Sequence, residues 1–160
     1  MRSASLALAL LAGLSGPAAA GVSVRYVAPE RFTDAENRIG SGLPLRVTLA
    51  EMTRILQELG ERHLPPGETL AITILDIDLA GVEQLGFGTA QALRVVRDSS
   101  PPRIRFAYRL QRGGRTLAQG EETLTDINFL LTSNARFSGG PLFYERALLR
   151  NWFRRRFPSG

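Results

Sequence analysis

The chain has no cysteine, no lysine and one histidine. Without cysteine there is no disulfide, no thiolate metal ligand and no lipidated cysteine after an export signal. Without lysine there is no Schiff-base catalysis and no phosphate-loop lysine. A Ser-His-Asp triad would have to use His63, and zinc sites built on several His or Cys ligands are excluded. His63 falls at the end of an expected helix, where a donor side chain suits the negative end of the dipole. Beyond the first twenty residues no stretch is long and apolar enough to cross a membrane. No internal repeat is visible.

What is present begins with Arg2, then an apolar run from Leu6 to Leu14, then Ala18-Ala19-Ala20. The run is too short for a spanning helix, and small residues occupy both positions read by signal peptidase. The expectation is a cleavable signal peptide over residues 1–20, followed by a single α+β domain over 21–160 and a periplasmic location, with secretion as the alternative. All 20 basic residues are arginine, and the formal charge is +5, so loss of Arg2 leaves +5 − 1 = +4. Such a charge favours anionic partners. With an export signal, nucleic acid is not an expected one.

Along the exported part, Val22–Val27 alternates as a strand. Residues 48–64 read as a helix: Leu49, Met52, Ile55, Leu56 and Leu59 form one apolar stripe. Thr48 is the expected N-cap, with Glu51 completing a capping box and Val47 and Met52 a hydrophobic staple. Pro65-Pro66-Gly67 stops the helix. Leu70–Leu79 is a strand with apolar residues on both faces, as in a central strand partly covered on both sides. Residues 80–91 read as a glycine loop, with Gly81, Gly86 and Gly88 too poor a match for a dinucleotide fingerprint. Residues 92–97 form a short strand. Arg103–Leu124 is a hairpin turning at Gly113-Gly114, with Leu110 expected opposite Leu117 and Arg105 opposite Glu122. Residues 125–140 read as a short strand or helical turn leading into a loop. Pro141 opens a last helix with Leu142, Leu149, Trp152 and Phe153 on one face and Arg146, Arg150 and Arg154 on another. The fold class expected is α+β: a largely antiparallel four- to five-stranded sheet with two helices packed on one face.

Asp76 and Asp78 stand two apart, with Cβ atoms roughly 6–7 Å from one another if the strand is regular. A period of two continues the face of Leu70, Ile72 and Ile74 into both of them. Two such carboxylates could serve as a hydrolase's acid and base, or ligate Ca²⁺ or Mg²⁺ with Asp126 or Asn128. The favoured reading is an ion network: Arg94, Arg103 and Arg105 lie close in strand order, and Glu122 and Asp126 complete the candidate polar cluster. No catalytic residue, metal ligand or cofactor is assigned. A second candidate surface is Arg146, Arg150, Arg154, Arg155 and Arg156, a basic helix that could meet an anionic envelope component or an envelope protein. Pairing of copies through a sheet edge is a third possibility.

Several stretches resemble one family across nearly the whole exported chain. They are FTD (32–34), LPPGETLAITILDIDLAG (64–81), LRVV (93–96), PPRIRFAYRL (101–110), EETLTDINFL (121–130) and PLFYERALLRNWF (141–153). The chain resembles the bacterial exported domain of unknown function family 3016, the aspartate stretch being the most distinctive part. The resemblance implies an exported protein of Gram-negative bacteria with no assigned activity, and it supplies no catalytic residues. The expected function is therefore a non-enzymatic envelope accessory or binding domain, with a hydrolase or divalent-metal enzyme using Asp76 and Asp78 as the alternative.

Overall fold

The structure is a computed structural model, and it describes residues 20–38, 43–85, 92–131 and 140–158. The expected signal peptide, the glycines at 86 and 88, and the loop at 132–139 lie outside the described residues. The elements are β1 (Gly21–Tyr26), α1 (Leu45–His63), β2 (Glu68–Asp78), β3 (Val82–Leu85), β4 (Ala92–Val95), β5 (Arg103–Arg112), β6 (Arg115–Thr125) and α2 (Phe143–Arg156). Two 3-10 turns, Pro29–Arg31 and Phe129–Leu131, complete them.

The main sheet has the order β1-β2-β5-β6. β1 runs parallel to β2, so the long crossover through α1 separates them, as a parallel pair requires. The β2–β5 and β5–β6 pairs are antiparallel. Both helices pack on one face of this sheet, as the α+β reading expects. Met52, Ile55, Leu56 and Leu59 of α1 meet Leu148, Leu149, Trp152 and Phe153 of α2 over Leu70, Ile72, Ile74, Ile104 and Phe106. Trp152 stands edge-on to Phe106, Tyr108, Phe153 and Phe157. α1 reaches β1 closely because Gly60 has no side chain: a Cβ there would lie 2.1 Å from the Val22 Cγ2.

Four local expectations are corrected. α1 starts at Leu45, a turn before Thr48, with Pro44 in the N-cap position and no side-chain cap. The Pro44 carbonyl accepts from the amides of Val47 and Thr48 instead. Thr48 is fully buried in the first turn, its hydroxyl without a partner, and Glu51 turns to Arg54 and Arg146. The earlier start brings Leu45 onto the core.

Second, residues 82–85 are a strand rather than loop, paired with β4 in a separate two-stranded sheet. Third, the outer face of β2 is not covered: Ala71 is exposed and Thr73 half-buried.

The last concerns register. The Gly113-Gly114 turn has both φ positive, 55° and 78°, the requirement of a two-residue type I′ hairpin, and Arg112 does face Arg115. Gln111 still faces Thr116, but beyond that pair the ladder shifts: Leu110 faces Ala118 and Arg105 faces Thr123. Leu117 is the extra residue, and it is exposed. Without this bulge Gln119, Glu121 and Thr123 would point under the helices; with it Ala118, Gly120 and Leu124 do.

Candidate functional site

A second bulge shapes the aspartate stretch. Ile74 faces Phe106 but Asp76 faces Arg105, so Leu75 is the extra residue of β2. The phase of the strand flips there. Ile77, fully buried, takes the core position opposite Ile104, while Asp76 and Asp78 turn to the face away from the helices. The expectation that both continue the Leu70-Ile72-Ile74 face is thereby overturned. The physical reason is direct: a regular strand would drive two carboxylates in among Ile74, Ile104 and Phe106, whereas a bulge costs only a locally disrupted ladder.

The carboxylates are then held one by one. Asp76 accepts hydrogen bonds from the Thr33 amide and the Thr33 hydroxyl, each 2.8 Å. Thr33 sits in the stretch after β1, which also bridges β2 through the Asp34 amide to the Ile77 carbonyl and the Leu79 amide to the Asp34 carbonyl. Asp78 meets Arg103 at 3.3 Å, directly across the β2–β5 ladder. Burial raises the Asp78 carboxyl above its ordinary value; Arg103 opposes this, and the charges of Asp34 and Asp76 reinforce it.

Arg94 is the centre of the neighbouring cluster. Its guanidinium clamps Asp34 through two bonds of 2.8 and 2.9 Å, and also reaches the Asn37 side-chain oxygen and the Gly81 carbonyl, each 3.0 Å. It ties the β3–β4 hairpin, the end of β2 and the stretch after β1 into one corner. Asp34 holds the Arg94 proton more firmly than usual. Gly81 is needed there: its φ is +81°, and a Cβ would lie 2.6 Å from the Val95 carbonyl oxygen.

The other candidate residues are dispersed. Arg105 lies opposite Asp76 in the backbone register, yet its guanidinium approaches Glu121 at 3.8 Å. Glu122 points inward and accepts from the Trp152 indole at 2.8 Å. Asp126 caps the Asn128 amide at the 3-10 turn, away from a shared site. Among the described residues no three His, Cys, Asp or Glu side chains come together as a metal would require. His63, the last residue of α1, stacks near Phe153, with ring centroids 5.8 Å apart.

The terminal arginines also divide. Arg146 is drawn inward, its guanidinium 2.8 Å from Glu58 and 3.3 Å from Glu51. Arg54 joins the same carboxylates from its own helix. Arg54 and Arg146 hold Glu51 and Glu58 below the usual carboxylate range. Arg150 is half-buried, and Arg154, Arg155 and Arg156 are exposed. Arg154 bonds Asn151, and Arg156 bonds the Tyr108 hydroxyl with its guanidinium 5.2 Å from that ring's centroid.

Two features gave no clear sign in the sequence. One is the outer sheet face. There Ala71, Thr73 and Ala107 form a low floor, and Arg25 and Arg109 rise beside it, bounding an open depression of about 640 Å³ with Gln119 and Glu121. The register places them in adjacent rows: Arg25-Thr73-Ala107-Glu121 and Ser23-Ala71-Arg109-Gln119. Arg25 touches Thr73 at 3.5 Å, and among the described residues neither Arg25 nor Arg109 has a carboxylate partner. The small residues in strand positions were the available signal. The other is Glu145, which is 3 % exposed and accepts the Ala80 amide at 2.8 Å. A glutamate in the first turn of a helix ordinarily reads as a dipole partner in solvent.

Fold and site together define an α+β domain with a half-open sheet, whose acidic strand end is tied into the scaffold and whose free cations face outward. The sequence model of the family described as "Protein of unknown function (DUF3016)" matches residues 20–155, and the chain belongs to that family. No curated protein and no solved structure matches the chain.

Proposed function

We propose that the protein is exported to the cell envelope and acts there as a non-enzymatic binding domain for an anionic component, with the outer sheet face as its contact surface. The observation that carries this reading is the unequal pairing of charge. Asp34, Asp76 and Asp78 are each engaged by a neighbour, while Arg25 and Arg109 flank a shallow floor of small residues and, among the described residues, neither contacts a carboxylate, Glu121 on the edge of that floor being met by Arg105. Guanidinium groups that bind phosphate or carboxylate in two-pronged fashion suit such a surface. Among the described residues no helix is long and apolar enough to cross a membrane. The test is co-sedimentation of the purified protein with vesicles containing phosphatidylglycerol, against vesicles of phosphatidylcholine alone. Binding to the anionic vesicles that weakens with salt, and is lost in Arg25→Gln/Arg109→Gln, supports the reading; equal binding to both vesicles, or none, removes it.

One observation favours a hydrolytic reading as the second. Asp78, its carboxyl raised by burial, borders an opening of about 410 Å³ that also has Ser99, Ser100 and Arg103 on its wall. A raised carboxyl beside hydroxyls is what general-acid chemistry uses. Turnover of a broad ester and glycoside panel that disappears in Asp78→Asn, with stability unchanged, would replace the binding reading by this one.

A further inference from the structure

A cavity of about 290 Å³ opens at the N-terminal end of α2, at the low end of the size range of small-molecule sites. Its wall is largely apolar, with Leu43, Leu79, Val96 and Phe143, and the polar side chains on it are Asn37, Arg94, Tyr144 and Glu145. Arg94 has little left to offer a ligand. Its charge is met by Asp34 in a two-pronged pair, and four hydrogen bonds occupy its guanidinium. Glu145 is different. One carboxylate oxygen accepts the Ala80 amide, but among the described residues no cation contacts the carboxylate. It is nevertheless almost wholly buried. A buried carboxylate without a contacting cation is costly and is ordinarily neutralised by a proton or a partner. Burial does raise the Glu145 carboxyl; the Ala80 amide, its own amide and then the Arg94 charge only partly offset this. The same wall contains strained backbone: Leu142 has φ 60°, left-handed for a residue with a side chain, and its carbonyl starts the helix by accepting the Arg146 amide. Such strain concentrates at ligand sites.

We propose that this cavity binds a small apolar molecule with an ammonium head, Glu145 supplying the counter-charge and Leu43, Val96 and Phe143 enclosing the apolar part. Asn37 offers its side-chain amide as a donor at the rim, because its oxygen is taken by Arg94. The inference is independent of the outer sheet face, since it uses none of the same residues. The experiment is a melting-temperature titration of the purified protein with hexylammonium, hexanol and hexanoate, run on wild type, Glu145→Gln and Val96→Trp. Glutamine keeps an acceptor for the Ala80 amide, so that variant retains its fold, which the near-ultraviolet signal of Trp152 checks. Hexylammonium should raise the wild-type melting temperature by about 3 °C or more at ten times its Kd. Hexanol should do so less and hexanoate not at all. The rise should vanish in Glu145→Gln and in Val96→Trp, where the indole fills the space. Equal rises with ammonium and alcohol, persistence of the ammonium effect in Glu145→Gln, or no rise with any of the three would overturn the proposal.

Discussion

Replacing Asp76 by alanine removes two hydrogen bonds at once, those from the Thr33 amide and hydroxyl, each 2.8 Å. Bonds to a charged acceptor are worth about 1.5–3 kcal/mol when shielded. Here the site is only partly buried, so about 1 kcal/mol each is the appropriate figure once solvent screening is allowed for. Asp76→Ala should therefore lose about 2 kcal/mol, roughly a 6–8 °C drop in melting temperature for a domain of this size. Asp76→Asn should cost less, about 1 kcal/mol or below, because its carbonyl still accepts the amide while its own amide faces the hydroxyl. Thr33→Val removes one of the two bonds, and a double-mutant cycle with Asp76→Ala should return a coupling near 1 kcal/mol. Urea unfolding followed by the fluorescence of Trp152 is the assay, since it is the single tryptophan and is buried against Phe106 and Phe153. A loss under about 0.5 kcal/mol in Asp76→Ala, or no coupling to Thr33, would refute the argument that this carboxylate is a structural tie.

Other consequences are as concrete. Arg94→Met should destabilise by about 2–3 kcal/mol, because Asp34 keeps its partial burial and loses its two-pronged partner; urea midpoints measure it. Phe153→Ala, at a fully buried site among Trp152 and Phe157, should cost about 3–5 kcal/mol in the same assay. Glu51 and Glu58 titrate below their unfolded value of 4.5, so their contribution is present above that pH and lost as pH falls through the folded values. Arg146→Met should flatten this acid limb of the stability curve. Glu145 has the opposite sign: its folded value is raised above 4.5, so folding weakens as pH rises through it. Glu145→Gln should therefore be the more stable protein at pH 7 and lose that advantage below the unfolded value, as thermal melts across pH would record.

The stripe on α1 and the alternation of β5 were legible because many apolar side chains agree on one period: Met52, Ile55, Leu56 and Leu59, and likewise Ile104, Phe106 and Tyr108, are all buried. The bulges were harder. Each rests on a single inserted residue, Leu75 or Leu117, and the phase change from Ile74 to Ile77 is easily read through as one alternation that includes Asp76. β3 was missed because its pairing depends on backbone hydrogen bonds while Val82 and Leu85 stay exposed, so it lacks an apolar face to signal it. At the site, the Asp78–Arg103 pair follows from strand neighbourhood. Thr33, Asp34 and Glu145 do not, since their partners are 43 to 65 residues away in sequence and the contacts exist only once β1 lies beside β2 and α2 has docked. Thr33 and Asp34 lie between the first expected strand and the helix, in the FTD of the family resemblance, where no periodic apolar pattern marks a contact.

The account's central claim is that the paired aspartates are scaffold and the outer arginines are the contact surface. The most direct measurement is an amide chemical-shift map of the isotopically labelled protein titrated with small bicelles containing phosphatidylglycerol. The account predicts salt-sensitive shifts concentrated at Arg25, Ala71, Thr73, Ala107 and Arg109, with Thr33, Asp76 and Asp78 little changed. Shifts confined to Arg154–Arg156, or centred on Asp78 and Ser100 with the outer face silent, would contradict it.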